Sequence, residues 1–246
     1  MTPRQDNFWI RTPRGRLRAT LHLPAQAEPP FPAVIGVHGL LSNRQSQKQI
    51  ALARRCTARG MAYLRFDHLG CGESEGDLAR DTSLSGRVAD LRAVWADLAG
   101  RDIIAAERMG LFGSSFGGTV CLAVAARQPV EAIVTLAAPL RSRPLLDLPP
   151  EKMPPTLPAA FKDPHHQFDL ASRIPAVAHL LCCHGAQDET VPAAHAREIA
   201  ELARNPKELM LIPNGDHRIS DPAQRETLLE RAQAWLSQQL ISYQNE

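Results

Sequence analysis

The chain has 246 residues, 44% hydrophobic and 22% charged, which supplies enough apolar surface to offset ordering entropy and excludes a disordered chain. A formal charge of +2 and 5% aromatic residues provide neither the basic footprint nor the stacking surface of a nucleic-acid binder. No run approaches the ~18 consecutive apolar residues of a membrane-spanning helix. The first predicted element is a hairpin. Arg4, Arg11, Arg14, Arg16 and Arg18 alternate with Trp9, Ile10, Leu17, Leu21 and Leu23 around Pro13-Arg14-Gly15, giving a charged outer face. Downstream, short apolar runs predict strands at 31–38, 61–66, 108–112, 130–136, 177–183 and 208–212. Helical patterns lie between and after them at 46–58, 83–98, 115–127, 193–203 and 222–240. In the last helix Asp221 is placed to cap, Pro222 suits the first turn, and Leu228, Leu229, Ala232, Trp235, Leu236 and Leu240 form one apolar stripe. Nearly continuous apolar strands alternating with helices predict an α/β sheet, mostly parallel and covered on both faces, preceded by an antiparallel hairpin.

One stretch interrupts this alternation. Eight prolines fall between Pro139 and Pro164, too dense for long helices or sheet ladders. Residues 139–172 are expected to form a short cap inserted in a single domain spanning 1–246, since about 30 residues cannot bury a core of their own. Its Leu140, Leu145, Leu146, Leu148, Met153, Leu157 and Phe161 predict a mainly apolar wall near a site mouth. The cysteines at 56, 71, 121, 182 and 183 show neither CxxC spacing nor a disulfide framework. With no signal-peptide core at the start, a reducing cytoplasm is expected.

The chemistry concentrates in Gly113-Ser114-Ser115-Phe116-Gly117-Gly118, which follows a predicted strand and precedes a helix. This is the G-x-S-x-G nucleophile elbow, with Ser115 at the serine position. Small residues two places either side let the chain turn sharply there. Ser114 would be flanked by Phe112 and Phe116 instead. A serine hydroxyl needs a base to take its proton, and the chain supplies partners in the order serine, acid, histidine. Asp188 follows the strand at 177–183 and His217 follows that at 208–212, each at the carboxyl edge where open α/β sheets hold ligands. Asp188 would orient the imidazole and His217 would act as general base, then acid. Glu189, Asp216, Asp147 and Asp169 are the competing acids. The backbone amides of Leu40, in His38-Gly39-Leu40-Leu41, and of Phe116 would receive the developing oxyanion.

Several other residues read as structural. Asp67 with Gly70, Gly72 and Gly76 shapes a turn, and His38 supports its loop. His165-His166 has no third ligand at zinc-like spacing. Cys182 and Cys183 face opposite sides of a buried strand, and Trp9, Trp95 and Trp235 are expected in the core.

Taken together, His38-Gly39-Leu40, the segment 65–76, Gly113 to Gly118, Gly185-x-x-Asp188 and Gly215-Asp216-His217 resemble the α/β-hydrolase superfamily. Within it the chain is similar to small bacterial cinnamoyl and feruloyl esterases and to serine-aminopeptidase-like hydrolases, over roughly 30–240. The resemblance implies an eight-stranded, mostly parallel sheet and hydrolysis through an acyl-enzyme. Position by position, it assigns Ser115 as nucleophile, Asp188 as acid, His217 as base, and the amides of Leu40 and Phe116 as oxyanion donors. The excursion after the sixth strand departs from the family's aromatic-ester enzymes in being shorter and richer in proline. The expected substrate is a small-molecule carboxylic ester, with no cofactor, metal or nucleic-acid partner. A thioester or an amide is the alternative for the same triad, and a silent ligand-binding member of the fold is a third possibility.

Overall fold

A computed structural model describes residues 4–143 and 167–241. Its sheet has eight strands in the order β1-β2-β4-β3-β5-β6-β7-β8. Strands β1 (Arg4–Thr12) and β2 (Gly15–Leu23) form the expected antiparallel hairpin. β2 joins β4 (Ala62–Phe66) antiparallel, and every pairing beyond that point is parallel. The parallel set is completed by β3 (Phe31–Val37), β5 (Ile104–Ser114), β6 (Ala132–Leu136), β7 (Leu180–Gly185) and β8 (Lys207–Ile212).

Five of the helices follow the apolar spacing closely, and the shortest, which buries no residue, has no such signal. In chain order the helices are α1 (Gln47–Ala58), α2 (Leu78–Asp81), α3 (Leu84–Ala99), α4 (Phe116–Ala125), α5 (Ala194–Leu202) and α6 (Pro222–Ile241). Ser83 caps α3 through the Gly86 N–H at 3.0 Å, and Asp221 caps α6 through that of Gln224 at 2.8 Å. Successive strand residues point to opposite faces, which divides the interior in two. Ile35, Leu64, Leu111, Ile133 and Cys182 pack with α3, α4 and α5. Val34, Tyr63, Phe112, Val134 and Cys183 pack with α1 and α6. The paired cysteines therefore do face opposite sides, although β7 runs two residues past them. All five cysteines are free and buried.

Two expectations need correction. Trp9 is 40% exposed rather than core. It shares the outer face of the hairpin with Arg11, opposite buried Ile10, and pairs across the strands with Arg18; the Arg16 and Arg18 guanidinium carbons lie 5.0 and 5.3 Å from its ring centroid. β5 also begins earlier than expected, at Ile104, through a register shift against β3 between Phe31 and Ala33. Of the proline-rich excursion, only the two ends are described. They lie side by side: Ser142 N–H donates to Phe168 O at 3.0 Å, and Leu170 N–H to Leu140 O at 3.1 Å. Leu145, Leu146, Asp147, Leu148, Met153, Leu157, Phe161 and His165-His166 fall outside the described residues. Among the described residues, no helix is long and apolar enough to cross a membrane.

Candidate active site

Ser115 stands between β5 and α4 with φ 54° and ψ −128°, a conformation that costs an L residue about 1–3 kcal/mol. The flanking glycines are steric requirements of this turn. A Cβ on Gly113 would lie 2.5 Å from Gly117 O, and one on Gly117 would lie 2.6 Å from His38 O. The Ser115 N–H donates to Leu136 O at 2.7 Å, fastening the turn to the end of β6.

Backbone bonds join the loops after β7 and β8. Ala186 N–H donates to Ile212 O and Gln187 N–H to Gly215 O, each at 2.9 Å. Gly185 permits this approach, because a Cβ there would stand 2.6 Å from Asp216 O. His217 is thereby carried to Ser115. Its Nε2 lies 3.1 Å from Ser115 Oγ, and its Nδ1 lies 2.8 Å from Asp188 Oδ2. The Asp188 side chain is fully buried. Its Oδ1 accepts from the N–H groups of Thr190 (2.8 Å) and Val191 (2.7 Å). Burial pushes this carboxyl up, but hydrogen bonds from His184, His217 and the Val191 N–H outweigh burial and hold it well below the usual carboxylate range. A carboxylate only accepts, so His217 Nδ1 donates and Nε2 is left to accept from the Ser115 hydroxyl.

The competing acids among the described residues are occupied elsewhere. Glu189 Oε2 accepts the His217 N–H at 3.1 Å. Asp216 holds the Ser220 N–H and hydroxyl at 2.7 and 2.6 Å. Asp169 pairs with Arg141 at 2.9 Å.

The loop after β3 lies directly on the serine: a Cβ on Gly39 would be 3.4 Å from Ser115 Cβ. The Leu40 and Phe116 N–H groups have no acceptor among the described residues, and Phe116, as the first residue of α4, has none within the helix. His38 is buried and does support this loop. Its Nδ1 donates to Gly39 O at 2.7 Å, while Nε2 accepts the His68 N–H at 3.1 Å. Asp67 likewise anchors its turn, accepting from the N–H groups of Arg44 and Glu73 at 2.6 and 3.0 Å.

A cavity of about 600 Å³ opens over Ser115 and His217. Leu40 and Leu41 form an apolar side, while Ser46, Lys48 and Arg218 make a polar one. Lys48 Nζ donates to Arg218 O at 2.8 Å, and burial lowers this ammonium to about 8. The described part of the wall is thus mixed, and the other apolar residues expected there, Leu145 to Phe161, lie outside the described residues. Leu140 is fully buried and presents nothing to the mouth. Among the described residues, no group of three or more His, Cys, Asp or Glu is placed to hold a metal ion.

Two site residues escape the sequence motifs. His184 is buried at the end of β7, with Nε2 2.8 Å from Val191 O and 3.1 Å from Asp188 Oδ2. Arg87 is buried beneath the His38-Gly39-Leu40 loop. The residue preceding Gly185 in the Gly-x-x-Asp turn was the available signal for the first. A charge on the apolar face of α3 was the signal for the second.

Comparison with known proteins agrees with this architecture. Mouse (Mus musculus) mitochondrial palmitoyl-protein thioesterase ABHD10 is 29% identical over 217 residues, covering 78% of this chain and 71% of that protein. Est1E from Butyrivibrio proteoclasticus, solved with ferulic acid bound, superposes with a TM-score of 0.79 at 22% identity, covering 94% of this chain and 98% of that one. Dienelactone hydrolase from Anabaena variabilis gives a TM-score of 0.70 at 22% identity, covering 97% and 99%. A profile of the prolyl oligopeptidase family matches residues 157–242. The profile described as "Serine aminopeptidase, S33" matches residues 28–174, and the chain belongs to that family of α/β-hydrolase serine hydrolases.

Proposed function

We propose that the protein cleaves small carboxylic esters through an acyl-enzyme on Ser115. The observation that carries this is the unbroken chain Ser115 Oγ–His217 Nε2–His217 Nδ1–Asp188 Oδ2, at 3.1 and 2.8 Å, beside two unengaged amides. His217 takes the hydroxyl proton as Ser115 Oγ attacks the carbonyl carbon. The Leu40 and Phe116 N–H groups receive the oxyanion. As the intermediate collapses, His217 returns the proton to the departing alcohol. Water then repeats the sequence and frees the acid.

A thioester is the second substrate class, favoured by the relationship to proteins named palmitoyl-protein thioesterase. The same steps serve it, with a thiol leaving. Peptide cleavage is the other alternative, in line with the names of the two matching family profiles, and the same steps serve it with an amine leaving. The five free thiols suit a reducing compartment such as the cytoplasm.

A fluorophosphonate probe tests the proposal. Stoichiometric labelling of Ser115, abolished in Ser115→Ala, is the expected result. No serine adduct would instead indicate a silent binding protein. Parallel rates on ester, thioester and aminoacyl-amide substrates sharing one acyl group then rank the classes.

A further inference from the structure

Arg87 belongs to α3, yet its side chain is wholly buried under the loop that follows β3. Its Nη1 donates to Gly39 O at 3.1 Å and to His38 O at 3.4 Å, and its Nη2 donates to Leu40 O at 3.1 Å. Nη2 also reaches Cys71 Sγ at 3.3 Å, and the guanidinium carbon lies 5.2 Å from the Phe116 ring centroid. One cation therefore gathers three successive carbonyls of one loop. The middle carbonyl matters most. Gly39 C=O and Leu40 N–H are the two ends of a single peptide unit. In a trans peptide they point in opposite directions, and cis bonds among the described residues occur only at Pro29-Pro30 and Asn205-Pro206. With the carbonyl drawn down onto Arg87, the Leu40 N–H is turned up toward the cavity over Ser115.

We propose that Arg87 is a positioning residue for the oxyanion site: it fixes the plane of the Gly39–Leu40 peptide and polarises it, so that the Leu40 N–H is aimed and strengthened before substrate arrives. A donor on the carbonyl end of an amide strengthens the N–H at the other end, and a charged donor does so more than a neutral one. His38 Nδ1 supplies a second, neutral donor to the same oxygen at 2.7 Å. Arginine suits the task because its planar fork reaches several acceptors at once and stays charged when buried. Burial lowers its proton affinity, against the opposing pull of Cys71 and Asp90.

This inference rests on the hydrolase reading above, and one experiment separates the two. Arg87→Met and Arg87→Lys are compared with wild type for kcat, KM and inhibition by a trifluoromethyl ketone, which forms a tetrahedral adduct on the serine. All rates are normalised to the fluorophosphonate-titrated site. In Arg87→Met, kcat should fall about 10–100-fold, with KM within about threefold of wild type and ketone affinity weakened in step with kcat. Arg87→Lys, which keeps the charge but cannot reach three carbonyls, should fall between. If the methionine variant does not fold, the lysine variant decides the matter through the same pairing of kcat with ketone affinity. Titrated sites with wild-type kcat and ketone affinity, whatever the melting temperature, would reduce Arg87 to packing and overturn the inference. A wild-type enzyme that neither the fluorophosphonate nor the ketone modifies at Ser115 would overturn the hydrolase reading instead.

Discussion

Replacing Asp188 by asparagine probes the site most sharply, because its surroundings dictate how the new amide must sit. The two backbone donors on Oδ1, Thr190 and Val191 at 2.8 and 2.7 Å, can be met only by the amide oxygen. The amide nitrogen is then forced to the Oδ2 position, facing His217 Nδ1. Turning the amide over would set its N–H groups against two backbone N–H groups, which is no improvement. His217 must therefore present Nδ1 as acceptor and Nε2 as donor. In that tautomer Nε2 cannot take the serine proton. His184, whose Nε2 lies 3.1 Å from the same oxygen, retains Val191 O as partner, so the fold should survive. Turnover should fall by on the order of 10³–10⁴, equivalent to about 4–5.5 kcal/mol on the barrier. The assay is kcat on a p-nitrophenyl ester, per titrated site, with thermal unfolding as control. A loss below about tenfold, or an equal loss in Glu189→Gln, would refute the assignment of Asp188.

Other consequences can be measured alongside. Gly117→Ala places a methyl 2.6 Å from His38 O and closer still to Val37 O; it should cost about 3 kcal/mol of stability and slow fluorophosphonate labelling, and wild-type behaviour in both would contradict the elbow geometry. Ser114→Ala should leave turnover within about twofold, whereas a loss matching Ser115→Ala would make Ser114 the nucleophile. Folding stability should decline in acid. Burial, with Arg65 and Arg54 nearby, draws His22 down to about 4, and burial takes His38 and His68 well below their ordinary value. Below about pH 6.5 the unfolded chain therefore binds protons that the folded one refuses. Asp90, raised by burial to about 6, acts oppositely. His195, also lowered by burial, adds to the three, so four histidines outweigh one carboxyl and stability falls as pH drops below about 6.5; urea midpoints that stay flat from about pH 6.5 to 5 would show the histidines are not held neutral.

The order of strands and helices was readable because each buried strand is a short apolar run and each helix has its own stripe. The elbow was readable because its steric demand falls on adjacent residues: a serine with glycine two places either side. Asp188 and His217 could be located, but their meeting depends on Gly185 lying against the Gly215–Asp216 backbone, a long-range contact with no local signature. Trp9 is a different case: two residues from Arg11, it shares the charged face and lies opposite Ile10, so strict alternation already points it outward. Arg87 and Asp90 interrupt the apolar face made by Leu84, Val88, Leu91, Val94 and Leu98, yet helical spacing cannot say what a buried charge will touch.

What sequence cannot show here is that the strained elbow and the charged support beneath it form one structure. Ser115 remains in a costly backbone conformation only because neighbouring backbone leaves it no other. Gly117 packs against the carbonyls of Val37 and His38, and the His38 carbonyl also accepts from Arg87. The wall that confines the nucleophile is thus the start of the loop that offers the Leu40 amide. A disturbance in that loop should therefore reach both the aim of the hydroxyl and the oxyanion donor. Substitutions at Gly117 and Arg87 should then combine with a smaller total effect than the product of their separate losses, because each loosens the same loop. Strict multiplication of the two would mean that the hydroxyl and the oxyanion donor are held independently.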